Sequence, residues 1–163
     1  MCEKTCCFFG HRKIKLTNEL RSKLSGEIQR LIIDEKVDIF LFGSRSEFDD
    51  LCYEITSELR KCHPHIKRIY VRAHFPYIND DYMEYLLESY EGTYYPEKIL
   101  NSGRASYVER NYEMINKSSF CIIYFDDKYV LPRKNDGYKP KSGTKIAYDY
   151  ALKKKKTIIN VFK

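Results

Sequence analysis

Two short stretches of this 163-residue chain carry residue types that could hold an anion. Residues 107–119 have helical spacing and place Arg110 one turn from Met114, then run into the apolar segment 120–125. A guanidinium is thereby carried at a position fixed by a buried strand. Lys141-Ser142-Gly143-Thr144 opens a second helical stretch that reaches Lys156, and the free backbone N–H groups and dipole of a helix start favour negative charge. Arginine, a bare helix N-terminus and an adjoining strand are what a phosphate-bearing ligand needs. Taken singly, each piece has a plainer reading: Gly143 is a turn glycine, Thr144 a cap and Arg110 a solvated charge.

The elements that must position these residues decide between the readings. Cys6-Cys-Phe-Phe9 breaks at Gly10-His11-Arg12, and Leu16, Leu20, Leu24, Ile28, Leu31 and Ile32 follow at helical spacing. The pattern repeats: residues 39–42 meet Gly43-Ser44-Arg45, and Ser46 with Asp49 three residues on starts a second amphipathic helix as a capping box. A third strand over 69–73 leads through His74-Phe75-Pro76 to a helix capped at Asn79 or Asp80, with Tyr82, Met83, Leu86, Leu87 and Tyr90 inward. Residues 91–106 read as a loop with a short helical turn, in which Tyr94 and Tyr95 either await a stacked base or pack over the sheet edge. Residues 133–141, with Gly137 and Pro140, read as a flap, and residues 157–162 as the closing strand.

Five short apolar runs, most separated by amphipathic helices, predict a mainly parallel five-stranded sheet covered on both faces, an α/β Rossmann-like three-layer sandwich. The whole chain, residues 1–163, is one domain by length. Ligands of such sheets sit outside the carboxyl ends of the strands, where Gly10, Arg12, Gly43, Ser44, Arg45, Arg110, Ser142, Gly143 and Thr144 should converge. That convergence reverses the preference for the plain readings. Gly10, Gly43, Phe75 and Asp126 should share one edge.

Composition narrows the classes further. Hydrophobic residues at 43% and charged residues at 32% make a globular balance, and the longest apolar runs fall far short of the roughly 20 residues that cross a bilayer. The N-terminal residues lack the shape of a secretory signal, so a cytoplasmic protein without a membrane partner is expected. Of the six cysteines, Cys6 and Cys7 are adjacent, Cys121 lies in an apolar run and Cys52 on a buried helical stripe, which fits packed, reduced thiols. Cys62-His63-Pro64-His65 reads as a stop between helix and strand rather than a ligand set, and no metal or cofactor is expected. The lysine run 153–156 ends a helix and complements its dipole.

Four segments in order, Cys7-Phe-Phe-Gly-His-Arg12, Phe42-Gly-Ser-Arg-Ser-Glu-Phe-Asp49, Glu109-Arg-Asn-x-x-Met114 and Ser142-Gly-Thr144 with Ala151, resemble the SLOG superfamily. That superfamily is named for the Smf/DprA and LOG proteins, and the likeness is to its small YpsA-like branch, over nearly the whole chain. The resemblance implies a Rossmann-like fold, a pocket for a nucleotide or a nucleotide-derived ligand of ADP-ribose or NAD type, and association into a homo-dimer or higher homo-oligomer. There are departures. Related sequences carry Gly-Gly-x-x-Gly-Phe-Asp at the second turn, where this chain has Ser44 and Glu47. In the LOG enzymes, which release a base from a nucleoside 5′-monophosphate, an arginine matching Arg110 works with a glutamate whose place is taken here by Ala147.

An oxocarbenium-like transition state needs a carboxylate, and alanine supplies none. Asp49, Glu109 and Asp149 are the candidate substitutes, and Asp49 also has a capping role. The expected function is therefore capture of the ligand, as a sensor or sequestering module in bacterial or phage conflict. The alternative is a nucleoside-phosphate N-glycosidase with a displaced carboxylate. A further alternative is single-stranded DNA held by Arg12, Arg45 and the terminal lysines. If Arg110 and the Ser142-Gly143-Thr144 turn face each other at the sheet edge, Arg110→Ala should weaken binding while leaving the unliganded protein's stability nearly unchanged.

Overall fold

The structure is a computed structural model that describes residues 4–129 and 142–162. The expected flap at 133–141 and Lys141 lie outside the described residues. In chain order the elements are β1 (Lys4–Gly10), α1 (Asn18–Ile33), β2 (Val37–Phe42), α2 (Glu47–Cys62), β3 (Lys67–Val71), α3 (Asp80–Ser89), β4 (Gly92–Tyr94), α4 (Arg104–Lys117), β5 (Phe120–Tyr124), α5 (Gly143–Lys153) and β6 (Thr157–Asn160). The strands form one sheet in the order β4-β3-β2-β1-β5-β6, and every pair is parallel. Among the described residues the sheet has six strands rather than the expected five.

The additional strand, β4, comes from the stretch read as loop. Its three residues have no apolar run, and the pairing is carried by the backbone and by short side chains. Thr93 Oγ donates to the Tyr70 carbonyl at 2.8 Å, and the Arg72 N–H donates to the Tyr94 carbonyl at 2.9 Å. Tyr94 packs at this edge with the Lys117 ammonium 4.5 Å from its ring centre, so sheet packing, not a stacked base, occupies it.

Strand periodicity divides the core in two. Cys6, Phe8, Phe40 and Phe42 face α1 and α2, where Leu24, Ile28, Phe48 and Cys52 are buried against them. Cys7, Phe9, Cys121 and Ile123 face Met114 and Ile115 of α4 and Ala147 and Ala151 of α5. The cysteines Cys6, Cys7, Cys52, Cys62 and Cys121 are free thiols. Leu16, expected on the inner face of the first helix, is exposed because Thr17 caps α1 and leaves it in the preceding loop. Helix α3 buries only Leu86, and Leu87 is exposed.

Between β1 and β5 the chain order reverses: β2, β3 and β4 lie to one side of β1, and β5 and β6 to the other. Connections leaving these two strands diverge, and a crevice opens above their carboxyl ends. No described helix is long and apolar enough to cross a membrane.

Candidate functional site

At the β1 turn, a side chain on Gly10 would overlap Phe48, so the close approach of α2 requires glycine there. His11 follows, 3% exposed, with its ring stacked on Tyr129 at 4.1 Å. Its Nε2 accepts the Asp126 N–H at 3.0 Å, which places the ring proton of the neutral form on Nδ1, and that buried atom has no partner. Burial lowers the His11 pKa, outweighing the upward pull of the Asp126 charge and hydrogen bond.

At the β2 turn, a Cβ on Gly43 would lie 2.7 Å from Met114 Sδ and 2.9 Å from Arg110 Nε. The pair spaced one turn apart on α4 is thus seated directly on this glycine. Arg110 is buried, 4% exposed, with Nη1 donating to the Gly43 carbonyl and Nε donating to Asn111 Oδ1 at 3.2 Å. The plain reading of Arg110 as a solvated charge is excluded, and with it the expectation that Arg110→Ala spares the unliganded protein: a glycine at position 43 leaves room for the arginine stem to fold under β2. Removing it would strand a carbonyl, so Arg110→Ala no longer leaves the unliganded protein unaffected.

Next to this pair, Asp49 accepts hydrogen bonds at Oδ2 from the Ser44 hydroxyl and, at 2.8 Å, from the Ser46 hydroxyl. Ser46 in turn caps α2 by accepting the Asp49 N–H at 3.1 Å. Burial pushes the Asp49 carboxyl up to about 6, against the downward pull of both serines and the Arg110 charge. Its Oδ1 is buried without a partner.

These turns open on one cleft of about 820 Å³, which all nine predicted ligand residues line. Gly10 and Arg12 come from the β1 end, Gly43, Ser44 and Arg45 from the β2 end, Arg110 from α4, and Ser142, Gly143 and Thr144 from the start of α5. Ser142 caps α5 by accepting the Lys145 N–H at 3.0 Å, and a Cβ on Gly143 would meet only open space. Phe75 joins the wall, and Asp126 is tied to it through His11, so the four strand ends share one edge.

The sequence reading missed Arg72, Arg104, His11, His74 and the aromatic rim of Tyr107 and Tyr129. Arg72 is 8% exposed, donates from Nη1 to the Phe75 carbonyl at 2.7 Å, and has a buried Nε without a partner. Phe75 takes a left-handed backbone, φ 60°, which is costly for a bulky residue, and remains 62% exposed. The available signal was the arginine in Tyr-Val-Arg-Ala-His-Phe, near a predicted strand end.

Five arginines, at 12, 45, 72, 104 and 110, line the cleft, and its described lining contains no carboxylate. The three candidate acids lie elsewhere. Asp49 walls a smaller hollow of about 200 Å³ that shares only Ser44 and Arg45 with the cleft. Glu109 fastens the loop before α4 by accepting the Leu100 N–H at 2.9 Å and the Asn101 N–H at 3.2 Å. Asp149 pairs with Lys145 one turn away at 3.3 Å. Ala147 is fully buried in the core. Lys153 to Lys156 lie at the far end of α5 from the cleft, so they do not extend the surface carrying Arg12 and Arg45. Among the described residues no cluster of three or more His, Cys, Asp or Glu could hold a metal ion, and the His63 and His65 rings stand 6.2 Å apart. Set against known proteins, the chain matches no protein-family model and no curated protein sequence.

Proposed function

We propose that this cleft captures a nucleotide or nucleotide-derived ligand, of the ADP-ribose or NAD class implied by the SLOG resemblance, in a sensing or sequestering role. The observation that carries the reading is the lining itself: five arginines, a capped helix N-terminus and no described carboxylate. Phosphate oxygens would meet backbone N–H groups at α5 and charge-assisted bonds from the arginines. The aromatic rim offers flat faces to a base. Binding is preferred to base release because Asp49, Glu109 and Asp149 all stand outside the lining.

A panel of adenine mononucleotides, dinucleotides and linear and cyclic ADP-ribose, screened by thermal shift and titrated by calorimetry, tests this. The expected result is saturable binding of at least one member, weakened in Arg12→Ala and Arg45→Ala, two exposed arginines whose loss leaves the core untouched. Failure of every member to bind would end the reading. The same mixtures should show no free base from nucleoside monophosphates. Exposed Tyr77, Leu100 and Leu16 also favour self-association of the chain, and light scattering that gives a monomer mass at high concentration would exclude it.

A further inference from the structure

The cleft contains a second constellation, in which Tyr107 of the aromatic rim meets a histidine that ligand capture does not use. On its rim His74 Nε2 lies 2.5 Å from the Tyr107 hydroxyl, joining the connection after β3 to the first turn of α4. Both side chains are exposed, Tyr107 at 43%, so a substrate can reach the phenol oxygen. The Arg110 guanidinium lies 5.3 Å from the Tyr107 ring centre, and Arg72 and Arg104 line the same cleft. Backbone geometry fixes the histidine: the next residue, Phe75, is held in its left-handed conformation by the Arg72 bond to its carbonyl. Strain retained beside a polar pair is a mark of a functional position.

Elimination identifies the base. No carboxylate occurs in the described lining. Of its two histidines, His11 is buried and its Nε2 is committed to the Asp126 N–H. Only His74 presents a ring nitrogen to a hydroxyl, and with its proton on Nδ1 the Nε2 lone pair accepts from Tyr107. A nucleophile bonded to a base, beside several arginines, is the arrangement required for attack on phosphorus.

We propose that Tyr107 is a nucleophile toward phosphodiesters, with His74 as its general base and acid. The inference rests on the cleft being a site for phosphate-bearing ligands. Tyr107 Oη forms a bond to phosphorus while His74 Nε2 takes the phenolic proton, the phosphorus bond to the leaving alkoxide breaks, and the imidazolium returns the proton to that oxygen. Water then attacks the phosphotyrosyl group, giving one proton to His74, which passes it to the departing Tyr107 oxygen. The sum is one diester and one water converted to a monoester and an alcohol. The arginines take up the charge that develops on the non-bridging oxygens.

Bis(p-nitrophenyl) phosphate is the probe, chosen because it needs no particular base. Wild type should release nitrophenolate above the buffer rate, and intact-mass spectrometry of rapidly quenched protein should find a phosphoryl adduct on Tyr107. Tyr107→Phe should abolish the adduct and lower release by about 100- to 10,000-fold, and His74→Gln by a similar factor. Tyr77→Phe, a fully exposed tyrosine outside the lining, should behave as wild type. Release that persists in Tyr107→Phe, or wild type no faster than buffer, overturns the proposal. Calorimetry with the nucleotide panel separates the two readings. Binding without any release removes the nucleophile and leaves the ligand site, whereas absence of both removes both.

Discussion

Two buried arginines of this fold, Arg68 at the β3–β4 edge and Arg110 beneath the β2 turn, are both less than a tenth exposed and keep opposite company. Arg68 is 7% exposed and meets Glu91 at two oxygens, 3.0 Å from Nε and 2.9 Å from Nη2, with Ser57 completing the fork. Burial alone would lower its pKa, and Glu91 reverses that. Arg110, 4% exposed, has a carbonyl and an amide instead, and burial pulls its pKa below the ordinary value. A buried guanidinium with its own carboxylate is a structural clamp. One hydrogen-bonded only to neutral acceptors, with the Asp49 charge near it but not bonded to it, is only partly compensated, and a ligand anion would complete it.

That contrast can be attacked at four points, the largest first. Glu91→Ala should cost about 3 kcal/mol or more in chemical denaturation, because it leaves Arg68 without its carboxylate, while nucleotide affinity stays unchanged. A loss of affinity would show that the two regions are coupled. Second, the half-buried Glu91 and the buried Asp49 carboxyls should respond to pH with opposite sign. Burial raises Glu91, but the bonds from Arg68 and the charge of Arg60 outweigh it and lower the pKa, so its stabilisation is present above the unfolded value and lost as pH falls through the folded one. Asp49 is raised from 3.8 to about 6, so its contribution is complete below the unfolded value and lost as pH rises through about 6. Stability of Asp49→Asn relative to wild type should therefore climb by roughly 2 kcal/mol between about pH 4 and pH 7; a flat difference would mean Asp49 does not titrate there.

Third, a ligand at about a hundred times its Kd should add roughly 2.7 kcal/mol, a rise in Tm on the order of 5–10 °C. Arg110→Ala should weaken that ligand about ten- to a hundredfold and, by leaving the Gly43 carbonyl unpaired, cost about 1–3 kcal/mol without ligand. Equal affinities for wild type and variant would return Arg110 to a purely structural role beside Arg68. Smallest is Arg45→Ala, exposed, which should change unliganded stability by less than about 0.5 kcal/mol, with any larger loss marking it as part of the fold.

Much of this was legible where one local rule decides. Glycine after an apolar run marked Gly10 and Gly43, and Ser46 with Asp49 announced α2. Convergence of nine residues on one edge followed from parallel order alone. What was hidden depends on partners distant in sequence. Strand β4 has no apolar pattern, since its bonds come from Tyr70, Arg72 and Arg68 far behind it in the chain. Arg110 is buried only because Gly43 lacks a side chain, a fact stored 67 residues away. The start of α4 was read late because Gly103, at φ 69°, makes no side-chain cap for a pattern to reveal.

Helix α3 buries a single residue, Leu86, and its connection to β3 carries His74 and Phe75. An element attached by so little apolar contact opens at a free energy well below that of global unfolding. Hydrogen exchange should therefore find the α3 amides released first among the helices, while those of β1 and β5 exchange only with the whole molecule. The wall of the cleft formed by Tyr82 and this connection should therefore open ahead of the core, and a ligand of the cleft would then enter and leave at the rate of that opening.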